Sequence, residues 1–303
     1  MVSGLIALVF WVLISGTIPA VVKLALYQIP PFTISFFRFF IASLILVPFY
    51  MKQKDIKMQA KGIWKMLVVG SLGTGFNAGI YAYGLQFTST IVAQLLYALT
   101  PLLIGILGFL FFKTKVTKQQ IIGAFIGFVG VIFLFQQAFA QQNILTLGTP
   151  LGNGIVFIAV LFWSFYTLFT KELSKHHSSI TTTFMSFLGG TVVLGFVVPV
   201  ELIFRRVPVS EITLSTGFDI LFLGIFGSAL VYFLYQYGIK KTSAFTASLG
   251  FYLAPLTVAF SSTIILHEIV TPSMIVGAFL ILFGVFYATV FPYIKKGYKS
   301  VLQ

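Results

Sequence analysis

The chain has 303 residues, 58% hydrophobic and only 8% charged, with a net charge of +13. A water-soluble domain is about 25% charged, so a soluble fold of this length is excluded. There is no cysteine, which removes disulfides, thiolate metal sites and cysteine nucleophiles.

A membrane-spanning helix needs roughly 20 mostly apolar residues. Ten such runs follow one another, at 3–24, 32–51, 64–86, 90–112, 119–138, 151–171, 181–204, 217–239, 243–266 and 273–294. They predict an all-α membrane protein of ten transmembrane helices, with the lipid bilayer as its solvent. The first run opens Ser3-Gly4-Leu5 with no basic segment before it, and reads as the first helix rather than a cleaved signal peptide. The longest connections, 52–63 and 139–150, leave no room for an appended module.

The basic residues set the orientation. With the N-terminus in the cytoplasm, fifteen of the nineteen Lys and Arg fall in cytoplasmic loops or the tail at 296–303 and its approach. Arg205 and Arg206 alone fall outside, while Lys23 and Arg38 lie in or beside the first two runs. The reverse orientation would violate the positive-inside bias. An even number of spans then puts both termini in the cytoplasm. The basic residues form separate clusters rather than one patch, which argues against nucleic acid as a partner.

The second half repeats the first. A shift of 154 residues carries Tyr81 onto Tyr235, Gly84 onto Gly238, Thr88-Ser89 onto Thr242-Ser243, and Pro101 onto Pro255. It also carries Gly123 onto Gly277 and Gly130 onto Gly284. Matched Gly, Pro, Tyr and Thr-Ser at one register mark two five-helix units, 1–138 and 149–295. Five is odd, so the second unit must be inverted. The turn at 84–89 is uncharged, whereas its counterpart gains Lys240 and Lys241; the basic turn at 113–118 has a counterpart, 267–272, that has lost every lysine. Inverted repeats around a midplane site characterise secondary transporters.

These pieces resemble the drug/metabolite transporter superfamily, specifically its EamA-type family. The resemblance rests on the Gly-x-x-x-Thr-Ser turns, Pro101 and Pro255, the paired glycine helices, and Trp163 with Lys171. Thr114 stands where the family usually has Glu, although Glu268 fits the second copy; Ser15-Gly16 stands where it has Trp-Gly, followed by Lys23. The resemblance implies a central cavity between the halves and transport of small metabolites, often export of amino acids or related compounds.

All six acids and all three histidines fall in loops or near span ends. Glu201 is placed to pair with Arg205 at i,i+4 spacing. A mid-membrane acid or imidazole is the usual proton or cation coupler, so a facilitator or exchanger is expected and no metal site is. Arg38, inside Phe36-Phe37-Arg38-Phe39-Phe40, is the most unusual charge. It either anchors a substrate carboxylate or phosphate, gates the outer mouth, snorkels, or bonds a backbone carbonyl. Polar and aromatic residues in mid-span complete the candidate cavity: Asn77, Tyr81, Gln94, Tyr97, Trp163, Tyr166, Tyr235, Ser248 and Tyr252. Their alternative role is helix–helix packing. Pro101 and Pro255 are candidate gating kinks.

There is no phosphate-binding loop, zinc motif or nucleophile–His–acid set, so neither an enzyme nor a cofactor is expected. The expected function is secondary transport of a small organic metabolite by alternating access, in a bacterial inner membrane. A sugar-nucleotide or drug exchanger of the same superfamily, a channel, and a non-transporting scaffold are the alternatives. The sequence leaves monomer and homodimer equally open.

Overall fold

A computed structural model describes residues 2–53, 60–134, 136, 148–205, 213–265 and 272–291. Among the described residues there are helices and no strand. In lipid, backbone groups must be satisfied internally, and helices do this within one segment.

The first apolar run divides into α1 (Val2–Ser15) and α2 (Ile18–Ala25). The break at Gly16-Thr17 precedes Pro19, which has no N–H to offer the Ser15 carbonyl. α3 (Pro31–Met51) follows. α4 (Ala60–Gly70) and α5 (Asn77–Gly84) are joined by a π-helical segment, Ser71–Phe76. α6 (Thr90–Tyr97) and α7 (Thr100–Phe112) part at Ala98-Leu99, and α8 (Lys118–Leu134) closes the first half. The second half contains α9 (Pro150–Leu173), α10 (Ser179–Arg205) and α11 (Leu214–Gly224). A second π-helical segment, Ile225–Leu230, leads into α12 (Val231–Lys241). α13 (Ala244–Ser248), α14 (Gly250–Ile265) and α15 (Pro272–Thr289) are the last of the described helices.

Among the described residues, six helical stretches are long and apolar enough to cross a membrane: Val2–Ala25, Pro31–Met51, Val92–Phe112, Pro150–Leu173, Ser179–Phe204 and Leu214–Lys241. Large apolar side chains such as Phe109, Phe196 and Phe279 stand on the exterior, as they do on a lipid-facing surface. The chain is an integral, multi-pass membrane protein.

Features recur at the 154-residue offset. The two π segments are 154 residues apart, and Ser89 and Ser243 both cap helices by accepting from the amide three residues on. For the first two runs the offset is 148: Phe39 stacks on Phe187 at 5.5 Å. α8 and α15 cross at glycines. A Cβ on Gly123 would lie 2.5 Å from the Gly284 carbonyl, and one on Gly130 would lie 2.8 Å from that of Gly277. Exchanging the halves maps each contact onto the other.

Glu201 takes a different partner from the expected Arg205. Its carboxylate accepts from the amides of Phe32 and Thr33 at 3.1 and 2.8 Å, and from the Thr33 hydroxyl at 2.9 Å. The start of α3 follows Pro30-Pro31, has no side-chain cap of its own, and presents unpaired amides that favour an anion. Arg205's side chain lies outside the described residues. Glu201→Ala is expected to lower the thermal midpoint, at a cost of about 1–2 kcal/mol, with Glu201→Gln intermediate; melting in detergent checks both.

Candidate functional site

A cavity of about 110 Å³ lies inside the bundle, between its two halves. Six predicted residues line it together: Arg38, Asn77, Tyr81, Gln94, Tyr97 and Trp163. They come from α3, α5, α6 and α9, so both halves contribute.

Arg38 is 5% exposed and does not snorkel. Its Nε donates to Ser228 Oγ at 2.9 Å and its Nη2 to the Gly227 carbonyl at 2.8 Å. Both acceptors lie in the second π segment, whose irregular turn leaves carbonyls in need of donors. The guanidinium also sits 5.0 Å from the centre of the Phe39 ring. It makes no ion pair among the described residues, and a guanidinium has five N–H donors, of which these bonds use two. The sequence alternatives therefore merge: Arg38 braces a helix and faces the cavity.

Asn77 donates through Nδ2 to the Tyr97 hydroxyl at 2.8 Å and to the Ala159 carbonyl at 2.7 Å. The wall is aromatic. Trp11 meets Phe251 edge-on at 5.0 Å, Trp163 meets Tyr232 at 5.4 Å, and Tyr97 lies 5.5 Å from both Tyr81 and Phe251. Trp163 Nε1 is buried without a well-aligned acceptor. None of the described lining residues is an acid or a histidine.

The other predicted residues sit behind the wall. Tyr166 donates to Ser186 Oγ at 3.2 Å and accepts from Gln236 Nε2 at 2.8 Å. Tyr235 shares a 3.2 Å hydrogen bond with Thr167, and Ser248 donates to its own helix at Phe245. Tyr252 packs its ring on Gly127.

The prolines differ. Pro101 stands in the first turn of α7, after a break, whereas Pro255 lies inside α14. Each lacks the N–H that would reach the carbonyl four residues back. Those carbonyls belong to Tyr97 and Phe251, which both line the cavity. Glu268 and His267 lie outside the described residues.

Sequence reasoning missed several lining residues, among them Trp11, Ser15, Pro19, Tyr232 and Phe251. The repeat register would have found Phe251, the counterpart of Tyr97. Tyr232 had no such signal, because its counterpart is Ala78.

The EamA-like transporter family model matches residues 2–136 and again 150–290. The uncharacterized transporter YyaM of Bacillus subtilis is 29% identical over 279 residues, covering 88% of this chain and 89% of its own. YoaV of the same organism, also named an uncharacterized transporter, is 25% identical over 95% of this chain and 97% of its own. Protein PecM of Dickeya dadantii is 27% identical over 72% of this chain and 71% of its own. One solved crystal structure superposes with a TM-score of 0.74 over 96% of both chains at 18% identity, a likeness of fold.

Proposed function

The chain belongs to the EamA-like transporter family, and from that premise we propose that it carries a small carboxylate-bearing metabolite, an amino acid or a related compound, across a bacterial inner membrane by alternating access. The observation that carries this reading is Arg38. A buried guanidinium without a carboxylate partner, at the wall of a central cavity, is suited to an anionic group brought by the substrate. Asn77, Gln94 and the hydroxyls of Tyr81 and Tyr97 supply polar contacts, and Trp11, Trp163 and Phe251 supply apolar surface, the usual composition of a small-molecule site.

The described lining residues include no acid or histidine to serve as a proton coupler, which supports a facilitator or exchanger working as an exporter. Ten crossings with both termini cytoplasmic follow from the ten apolar runs and the lysine-rich loops. The bacterial relatives support the membrane assigned.

The test is uptake of labelled amino acids and small carboxylates into proteoliposomes, with and without a pH gradient. Saturable flux indifferent to the gradient is expected. Gradient-dependent flux would contradict the facilitator reading, and non-saturating conductance would favour a channel.

A further inference from the structure

Two helix pairs flank the cavity, each closed by glycines. α1 packs on α12: a Cβ on Gly4 would lie 2.6 Å from the Lys241 side chain, and one on Gly238 would lie 2.5 Å from Leu8. α9 packs on α5 and the turn after it in the same manner: a Cβ on Gly152 would lie 2.7 Å from Phe87, and one on Gly84 would lie 2.8 Å from Val156. Gly4 and Gly152 are equivalent in the repeat, as are Gly84 and Gly238. The two pairs are therefore built alike.

Two lysines reach between the pairs, one at each end, Lys171 from α9 and Lys23 from α2, which continues α1 beyond the Gly16-Thr17 break. Lys171 of α9 donates to three carbonyls at the end of α12: Ile239 at 2.8 Å, Thr242 at 2.8 Å and Lys240 at 3.3 Å. Its counterpart Lys23, at the end of α2, donates to one, Thr88 at 3.3 Å. Thr88 and Thr242 are themselves equivalent. The same bond thus exists twice, tight at one end and slack at the other. A lysine near a helix C-terminus suits these carbonyls, both as a donor and as a cation.

The cavity follows this asymmetry. Tyr81 and Gln94, near the Lys23 end, line it, while their counterparts Tyr235 and Ser248, near the Lys171 end, are fully buried. Two further bonds close the Lys171 end, Thr167 with Tyr235 and Gln236 with Tyr166. Their counterparts at the other end are Pro19 with Tyr81 and Ile18 with Ala82, and neither combination can form such a bond.

We propose that Lys23 and Lys171 are opposing latches of the transport cycle. The described state is latched at the Lys171 end and slack at the Lys23 end. In the alternate state Lys23 closes on the turn after α5 as Lys171 now closes on the end of α12, and Lys171 lets go. The sequence asymmetry at Ile18-Pro19 makes the described state the resting one. This inference rests on the carrier reading, because a latch needs two states to choose between.

A chain with no native cysteine allows a direct test. Gln94→Cys and Ser248→Cys, equivalent positions on opposite sides of the midplane, are labelled with a membrane-impermeant maleimide in detergent. On the otherwise unmodified background Gln94→Cys should label and Ser248→Cys should resist. Adding Lys171→Ala should raise Ser248→Cys labelling roughly tenfold, the scale of losing charge-assisted hydrogen bonds, and slow Gln94→Cys. Adding Lys23→Ala should leave Ser248→Cys resistant, and Lys171→Arg should restore the original ratio. Should Lys171→Ala not fold, Lys171→Gln gives the same reading. A folded variant with a lower melting point but an unchanged labelling ratio would make Lys171 a helix cap and overturn the proposal. The readout requires no substrate, so its failure is distinct from a failure to find flux.

Discussion

Arg38→Ala is expected to weaken saturable transport of carboxylate-bearing substrates severely while leaving a protein that can still be purified. The guanidinium is buried and bonds Gly227 and Ser228. Its loss removes the only cationic side chain among the described residues lining the cavity. Hydrogen bonds to a charged group contribute about 1.5–3 kcal/mol, roughly 10- to 150-fold in affinity at about 1.4 kcal/mol per decade. Arg38→Lys should fare little better, because an ammonium cannot hold both π-segment acceptors in a fixed fork and still present donors to the cavity. Ser228→Ala separates the two roles. It removes one brace and keeps the charge, so transport should survive with a modest loss of thermal stability. Equal losses in Ser228→Ala and Arg38→Ala would reduce Arg38 to a brace.

The second large effect concerns the crossing of α8 and α15. Gly123→Val and Gly284→Val should each lower the thermal midpoint sharply, because the new Cβ would meet opposing backbone at 2.5 Å. Backbone cannot move aside as a flexible side chain can. Overpacking costs about 1–3 kcal/mol, and more where the neighbour is rigid. Gly154→Val and Gly217→Val are the controls, since neither glycine has a neighbour within 4 Å of its would-be Cβ. They should melt like the parent. If all four variants behaved alike, the loss would come from helix propensity rather than the crossing.

Much of this was legible in the sequence. Matched Gly, Pro and Thr-Ser pairs gave the repeat register because those residues sit where backbone approaches backbone or a turn must form. Polar groups in apolar runs pointed to Asn77, Tyr81, Gln94 and Tyr97 because bare polarity in lipid is costly. The break at Gly16-Thr17 went unread, since a hydropathy window does not register a missing N–H, although Pro19 signalled it. The π segments were illegible for another reason. Their carbonyls are held by distant side chains, Gly227 by Arg38 and Gly73 by the Tyr232 hydroxyl at 3.3 Å. Tyr166, Tyr235, Ser248 and Tyr252 were read into the cavity because they are polar or aromatic in mid-span, and Tyr235 and Ser248 also as counterparts of Tyr81 and Gln94. The cavity sits toward one end, and the sign of that lies in Ile18-Pro19 standing opposite Tyr166-Thr167.

The most direct test of the account is substrate protection in the purified chain carrying Gln94→Cys. A metabolite that shows saturable counterflow in proteoliposomes is added, and the rate of maleimide labelling is followed against its concentration. The account predicts that labelling slows with the same half-saturation as flux, because the substrate occupies the cavity that Gln94 and Arg38 share. Saturable flux with labelling indifferent to substrate would place the binding site elsewhere and contradict it.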